Sequence, residues 1–180
     1  VRAATILAAG FLAAVVGCAP AHDGGRDAPL PGQKWALEDG TVTGAEYRTA
    51  MNRFISCVRN AGYPVSAPVI SPTDNLTLIY DITPGGDPDT YNDAVQTCNL
   101  AHLSLVEPTY VEAQPQLMAE PLRKAVANCL ERQGVRVTSQ ERNLADFAAS
   151  ARSETKVVDC VTSQRARVYP ELPSAVPLRF

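Results

Sequence analysis

TGAEYRTAMNRFISCVRNAG, residues 43–62, is the stretch on which the reading of the fold turns. Thr43 and Glu46 have the spacing of a capping box, in which hydroxyl and carboxylate each satisfy a free amide at a helix start. Tyr47, Ala50, Phe54, Cys57, Val58 and Ala61 then recur at intervals of three and four, which winds them into one apolar stripe. Gly62 supplies a left-handed stop, and Pro64 prevents the helix from continuing. A capped helix that turns a cysteine inward just before a glycine stop is the unit from which the rest of the chain is read.

That unit recurs in degenerate form. Aligning Cys57 with Cys129 brings Val58 onto Leu130, Gly62 onto Gly134 and Val65 onto Val137, and aligning Cys98 with Cys160 brings Val95 onto Val157 and Pro108 onto Pro170. Each half therefore reads helix, Cys, Gly stop, connector, second helix, Cys, Pro. Four cysteines allow three connectivities, and the internal repeat favours pairing within halves, Cys57 with Cys98 and Cys129 with Cys160. On the chain-entropy model each such loop stabilises by about 4 kcal/mol, an upper value because strain and residual structure reduce it. No CxxC occurs, which argues against zinc knuckles, thioredoxin-type redox chemistry and c-type haem; no cofactor or metal is expected.

Between the cysteine helices, residues 65–70 and 76–82 read as a hairpin, because Leu76, Leu78, Tyr80 and Ile82 alternate with Thr77 and Asp81. Pro68 puts the first strand at an edge. Asp87 followed by Pro88 reads as a helix cap and first position, with Tyr91, Ala94, Val95, Cys98, Ala101 and Leu105 as the buried stripe. A third helix is expected over residues 117–133, with Leu122, Ala125, Val126, Cys129 and Leu130 inward and Gly134 as its stop. Residues 135–138 read as a short strand, 141–149 as a short helix and 154–165 as the last helix. The expected fold is α+β, with disulfide-stapled helices covering one face of a small antiparallel sheet. It forms a single domain over residues 35–169, in degenerate halves at about 35–112 and 113–169.

Residues 1–17 read as a lipoprotein signal peptide: Arg2, then an apolar run from Ala3 to Val16 broken only by Thr5 and Gly10. The run is shorter than the roughly 20 apolar residues that span a bilayer. Val15, Val16, Gly17 and Cys18 resemble the bacterial lipobox, which makes Cys18 the acylated N-terminus and places the protein on the extracytoplasmic face of the cell membrane. Residues 18–34 then read as the lipidated Cys and a flexible tether, rich in Pro and Gly, with a coil reach of roughly 20 Å. Residues 170–180, with Pro170, Pro173 and Pro177, form a Pro-rich tail or strap.

Charge and composition narrow the chemistry. With 16 Lys+Arg against 19 Asp+Glu and a net charge of −3, the chain has no basic footprint for nucleic acid. Asp39, Gly40, Val42 and Glu46 fit positions 5, 6, 8 and 12 of a calcium loop starting at Trp35, but Trp35 and Leu37 stand where the first ligands belong, so a turn feeding a capped helix is the better reading. Asp81, Asp87, Asp89 and Asp93 surround Pro84, Gly85 and Gly86 as a solvated acidic turn. Ser153 and Lys156 spell SxxK without the partner motifs of penicillin-binding enzymes, and Ser153 reads as a helix cap. His22 lies in the tether. His102, the only histidine of the body, sits beside an apolar stripe with no identifiable nucleophile, so a structural role is expected.

The run Asp39-Gly40-x-Val42-Thr43-x-x-Glu46-Tyr47-x-x-Ala50, followed by Cys57-x4-Gly62 and Tyr91-x-x-Ala94-x3-Cys98, resembles small secreted lipoproteins of actinobacteria, a group of unknown function. The resemblance covers about the central third of the chain and the lipobox. It implies surface anchoring and the first disulfide, and no catalytic role; the second half lacks the DGxVT approach. The expected function is a non-enzymatic, membrane-anchored envelope module that binds a partner protein or a cell-wall component. The alternatives are an envelope hydrolase using His102 or an acidic pair between Asp81 and Asp93, and a purely structural surface protein.

Overall fold

The computed structural model describes residues 31–173 and 175–180. The expected signal peptide, Cys18 and the expected tether as far as residue 30 lie outside the described residues. Seven helices and one two-stranded sheet follow in the order α1 (Lys34–Leu37), α2 (Gly44–Asn60), β1 (Val69–Ile70), β2 (Leu78–Ile79), α3 (Pro88–His102), α4 (Val106–Glu112), α5 (Glu120–Arg132), α6 (Leu144–Ala151) and α7 (Glu154–Val168).

The capping box forms as its spacing dictates: Thr43 N donates to Glu46 Oε2 at 2.8 Å, and Glu46 N donates back to Thr43 Oγ1 at 3.3 Å. From that start α2 buries Tyr47, Ala50, Met51, Phe54, Ile55 and Val58, so Met51 and Ile55 widen the stripe while Ala61, the C-cap, is exposed. Asp87 caps α3 by accepting Thr90 N at 2.9 Å, and Ser153 caps α7 by accepting Lys156 N at 3.3 Å. The hydrogen bonds from Thr90 hold the Asp87 carboxyl below its ordinary range.

The glycine stops repeat atom for atom. Gly62 N donates to Arg59 O and Tyr63 N to Val58 O; seventy-two positions later Gly134 N donates to Glu131 O and Val135 N to Leu130 O. This is the paired closure in which two amides beyond the helix satisfy its last carbonyls. It requires a left-handed residue, and Gly62 and Gly134 have φ of 96° and 79°.

Two cores result. One holds α1 to α4 and the hairpin, around Tyr47, Met51, Phe54 and Val106; the other holds α5 to α7, around Leu122, Leu130, Phe147 and Val157. Helix packs on helix in both, α2 on α3 and α4, and α5 and α6 on α7. The sheet pairs Val69 with Ile79 and Ile70 with Leu78, and an isolated bridge joins Val65 to Ile82. The register slips by one residue between these pairings, so Pro68 falls in a bulge where its missing N–H costs no ladder bond. The molecule is thus mostly helical with a small antiparallel sheet, rather than helices laid over a sheet. Leu78, Tyr80 and Ile82 reach the first core, but Val69 and Ile70 stay exposed.

Three further expectations are corrected. Residues 135–138 form no strand; Val135 and Val137 pack on the second core from an irregular segment. The third helix begins at Glu120 rather than 117, because residues 117–119 run extended between the halves. Leu117 N donates to Asp74 O, Ala119 N to Pro72 O and Met118 N to Arg142 O. The folded body also starts earlier than 35: Gln33, read as tether, is fully buried. The C-terminal segment is a strap across both halves, with Leu178 against the second core, Pro177 O accepting from Thr73 Oγ1 at 3.3 Å, and Arg179 paired with Glu107 at 3.5 Å.

Candidate binding site

The outer side of α2 carries Thr49, Asn52, Arg53, Ser56 and Asn60, whose spacing places them on one face. With His102 from the end of α3 as one wall and Cys57 as floor, they line a wide, open groove of about 570 Å³. The floor is fixed covalently, since Cys57 is bonded to Cys98. The side chains of Asn52, Arg53, Ser56 and Asn60 make no hydrogen bond within the described residues. Thr49 Oγ1 is turned back to Ala45 O at 2.9 Å.

Residues 32–35 pack behind two of the lining residues, Arg53 and His102. Gly32 lies so close to α3 that a Cβ there would meet Ala101 O at 2.1 Å, which only glycine avoids. Its carbonyl accepts the Trp35 indole N–H at 3.0 Å, and the Arg53 guanidinium rests 4.2 Å from the centre of the Trp35 ring. Gln33 then plugs the corner between α3 and α4. Its Nε2 donates to Leu100 O at 2.7 Å and Ser104 Oγ at 2.9 Å, while its Oε1 accepts Leu105 N at 2.8 Å and Val106 N at 3.1 Å. The amide supplies the first-turn amides of α4 with an acceptor that the helix itself cannot provide.

His102 has Nδ1 buried without a hydrogen-bond partner. Burial, and then the nearby Arg53 charge, hold its pKa below the ordinary imidazole value, so the ring is neutral at physiological pH. Among the described residues no carboxylate lines the groove, and the charged group that acts on His102 is a cation. A general base needs the opposite neighbour, an acid that orients the ring and steadies its imidazolium form. The amide, hydroxyl, guanidinium and imidazole groups of the lining can both donate and accept hydrogen bonds.

A second concavity, of about 620 Å³, lies between β2 and the strap, lined by residues 77–80, Glu107, Ala175, Val176 and Pro177. Here the polar groups are committed to the fold. Tyr47 donates its hydroxyl proton to Glu107 Oε2 at 2.8 Å and accepts Leu78 N at 2.8 Å, while Arg179 holds the other Glu107 oxygen. Burial raises the Glu107 pKa above its ordinary value, against the Tyr47 hydrogen bond and the Arg179 charge. Burial and the Glu107 charge push Tyr80 up to about 12. Below them, Asp74 accepts Leu76 N, Thr77 N and Thr77 Oγ1, which folds the hairpin tip.

The residues singled out in the sequence are dispersed. The disulfides join Cys57 to Cys98 and Cys129 to Cys160, the pairing favoured by the internal repeat. Asp39 folds back on Thr41 and Glu46 on Thr43, so the calcium-like loop is a turn into a cap. Asp87 caps α3, Asp89 and Asp93 point to solvent, and among the described residues no three His, Cys, Asp or Glu side chains are grouped to hold a metal. Ser153 caps α7 while Lys156 is exposed. The polar face of α2 escaped sequence reading because Asn, Ser, Thr and Arg opposite an apolar stripe are what any surface helix shows. No family model matches the chain, and neither a curated protein nor a solved structure matches it.

Proposed function

We propose that the protein is a membrane-anchored extracytoplasmic lipoprotein, lipidated at Cys18, whose folded body is a non-enzymatic binding module of the cell envelope with the α2 groove as its site. The observation that carries the reading is the groove itself: uncommitted amide, hydroxyl and guanidinium groups beside a neutral imidazole, on a floor fixed by a disulfide. Two disulfides in a chain without CxxC fit an oxidising compartment, and the lipobox and the likeness to secreted actinobacterial lipoproteins point the same way. A hydrolase using His102 or Asp87 is less well supported, because Arg53 neighbours the first and the second is engaged in capping.

The test replaces Ser56 with a photo-reactive benzoylphenylalanine in cells and compares adducts with those from the same residue at exposed Glu131 on the other half. Capture at position 56 of an envelope component, lost when Cys18→Ala releases the protein from the membrane fraction, is the expected result. Equal adducts at both positions, or retention of the Cys18→Ala protein in the membrane, would overturn it.

A further inference from the structure

We infer that the α2 groove recognises an oxyanion, a carboxylate or phosphate, carried on a small polar ligand. The inference rests on the reading of this groove as the binding site and names the chemistry of what enters it. Arg53 makes no ion pair among the described residues, yet it is not a loose surface cation. Its guanidinium lies over Trp35, and Trp35 is held in turn by Gly32 O. A guanidinium held over an aromatic ring still has N–H donors on its edge for another partner. That edge matches the two oxygens of a carboxylate or phosphate, and its orientation is set before any ligand arrives.

The surroundings agree in sign and in kind. Among the described residues the lining holds no acid to compete for Arg53 or to repel an anion. His102, whose pKa is held below the ordinary imidazole value by burial and the nearby Arg53, adds a polar ring to the lining and no negative charge. Asn52, Ser56 and Asn60 continue along α2 with amide and hydroxyl groups that can meet a hydroxyl-bearing ligand body. The segment that seats Arg53 is the one running back toward Cys18, so two sources share this chemistry, the phosphate of a phospholipid headgroup and the carboxylate of an acidic sugar.

Trp35 is the single tryptophan of the chain and lies under the group in question, so its fluorescence reads the site directly. The full chain in detergent is titrated with glycerol 1-phosphate, a headgroup fragment, and with glucuronate, with glycerol and glucose as neutral counterparts. The expected result is a saturable change with at least one acid, weakened about tenfold or more in Arg53→Gln and partly restored in Arg53→Lys, the loss of a charge-assisted pair. Tighter binding of the phosphate assigns the headgroup, and tighter binding of glucuronate the sugar acid. Unfolding midpoints of both variants are compared with the parent, so that a change in binding is read on folded protein. A flat titration with both acids, a response equal for the neutral compounds, or an unchanged response in folded Arg53→Gln overturns the assignment. A neutral adduct captured at position 56 alongside flat titrations would leave the binding module standing and remove only the oxyanion.

Discussion

The two halves share a helix, a cysteine and a glycine stop, and differ in what they set against them. In the first, a hairpin and the plugged corner of α3 and α4 complete the core, and Cys57 stays half-exposed as the floor of a groove. In the second, α6 takes the place of the hairpin, and Cys160 is wholly buried with Gln133 donating to its sulfur at 3.3 Å. Cys98 also lies about one turn from the end of α3, whereas Cys160 lies about two turns from the end of α7. The same covalent staple therefore supports a surface in one half and a core in the other. A repeat can keep its stabilising hardware while the two copies set it at different depths.

The largest effects should separate the two staples. Replacing Cys129 and Cys160 together by Ala is expected to cost about 4 kcal/mol or more, the loop term plus an interior void, and replacing Cys57 and Cys98 somewhat less. Urea unfolding followed by circular dichroism measures both, and the reverse order would break the comparison. Next in size is Gln33→Ala, which strands two buried amides and a carbonyl at the α3–α4 corner. About 3 kcal/mol is expected, with hydrogen exchange accelerating in α4 and unchanged in α7. Third, Gly62→Ala and Gly134→Ala should each cost roughly 1–2 kcal/mol, because the left-handed backbone carries the penalty and a Cβ meets nothing within 4 Å at either site. Unequal values would show that the two stops are alike in shape but not in energy.

The smallest effect concerns the acid that ties the first half to the strap. Glu107 has a folded pKa raised above its unfolded one, so the native state holds the proton more tightly. Its contribution is therefore present at low pH and is lost as pH rises through the ordinary carboxylate range to the raised value. Glu107→Gln keeps an acceptor for Tyr47 and removes the titration. The difference in unfolding midpoint between parent and variant should move in favour of the variant as pH rises across that window, and a pH-independent difference would sharpen the comparison toward Arg179 alone.

Much of this was legible in local sequence, because caps and stops are local physics. Thr43 with Glu46, Asp87 with Pro88, and Gly62 and Gly134 each act within a few residues of themselves, and the repeat they outline favours the observed disulfide pairing. What escaped depends on distant partners. Gln33 looks like linker until the corner some seventy residues away supplies its four hydrogen bonds. Helix α4 was hidden by Pro108, which sits in the first turn, where a missing N–H leaves no helical bond unmade. The strand expected at 135–138 had the right residues but no neighbour to pair with. The groove was unreadable for a related reason: Arg53 differs from other surface arginines only through Trp35 and Gly32.

The plug at Gln33 also has a mechanical meaning. The four hydrogen bonds of Gln33 converge on a single corner, so under a pull on residue 31 they bear load together rather than opening in turn. Behind that corner α3 is welded to α2 by the Cys57–Cys98 bond. Tension entering at Gln33 would pass into that covalent strut before reaching the second core, which puts the α2 groove on the load path.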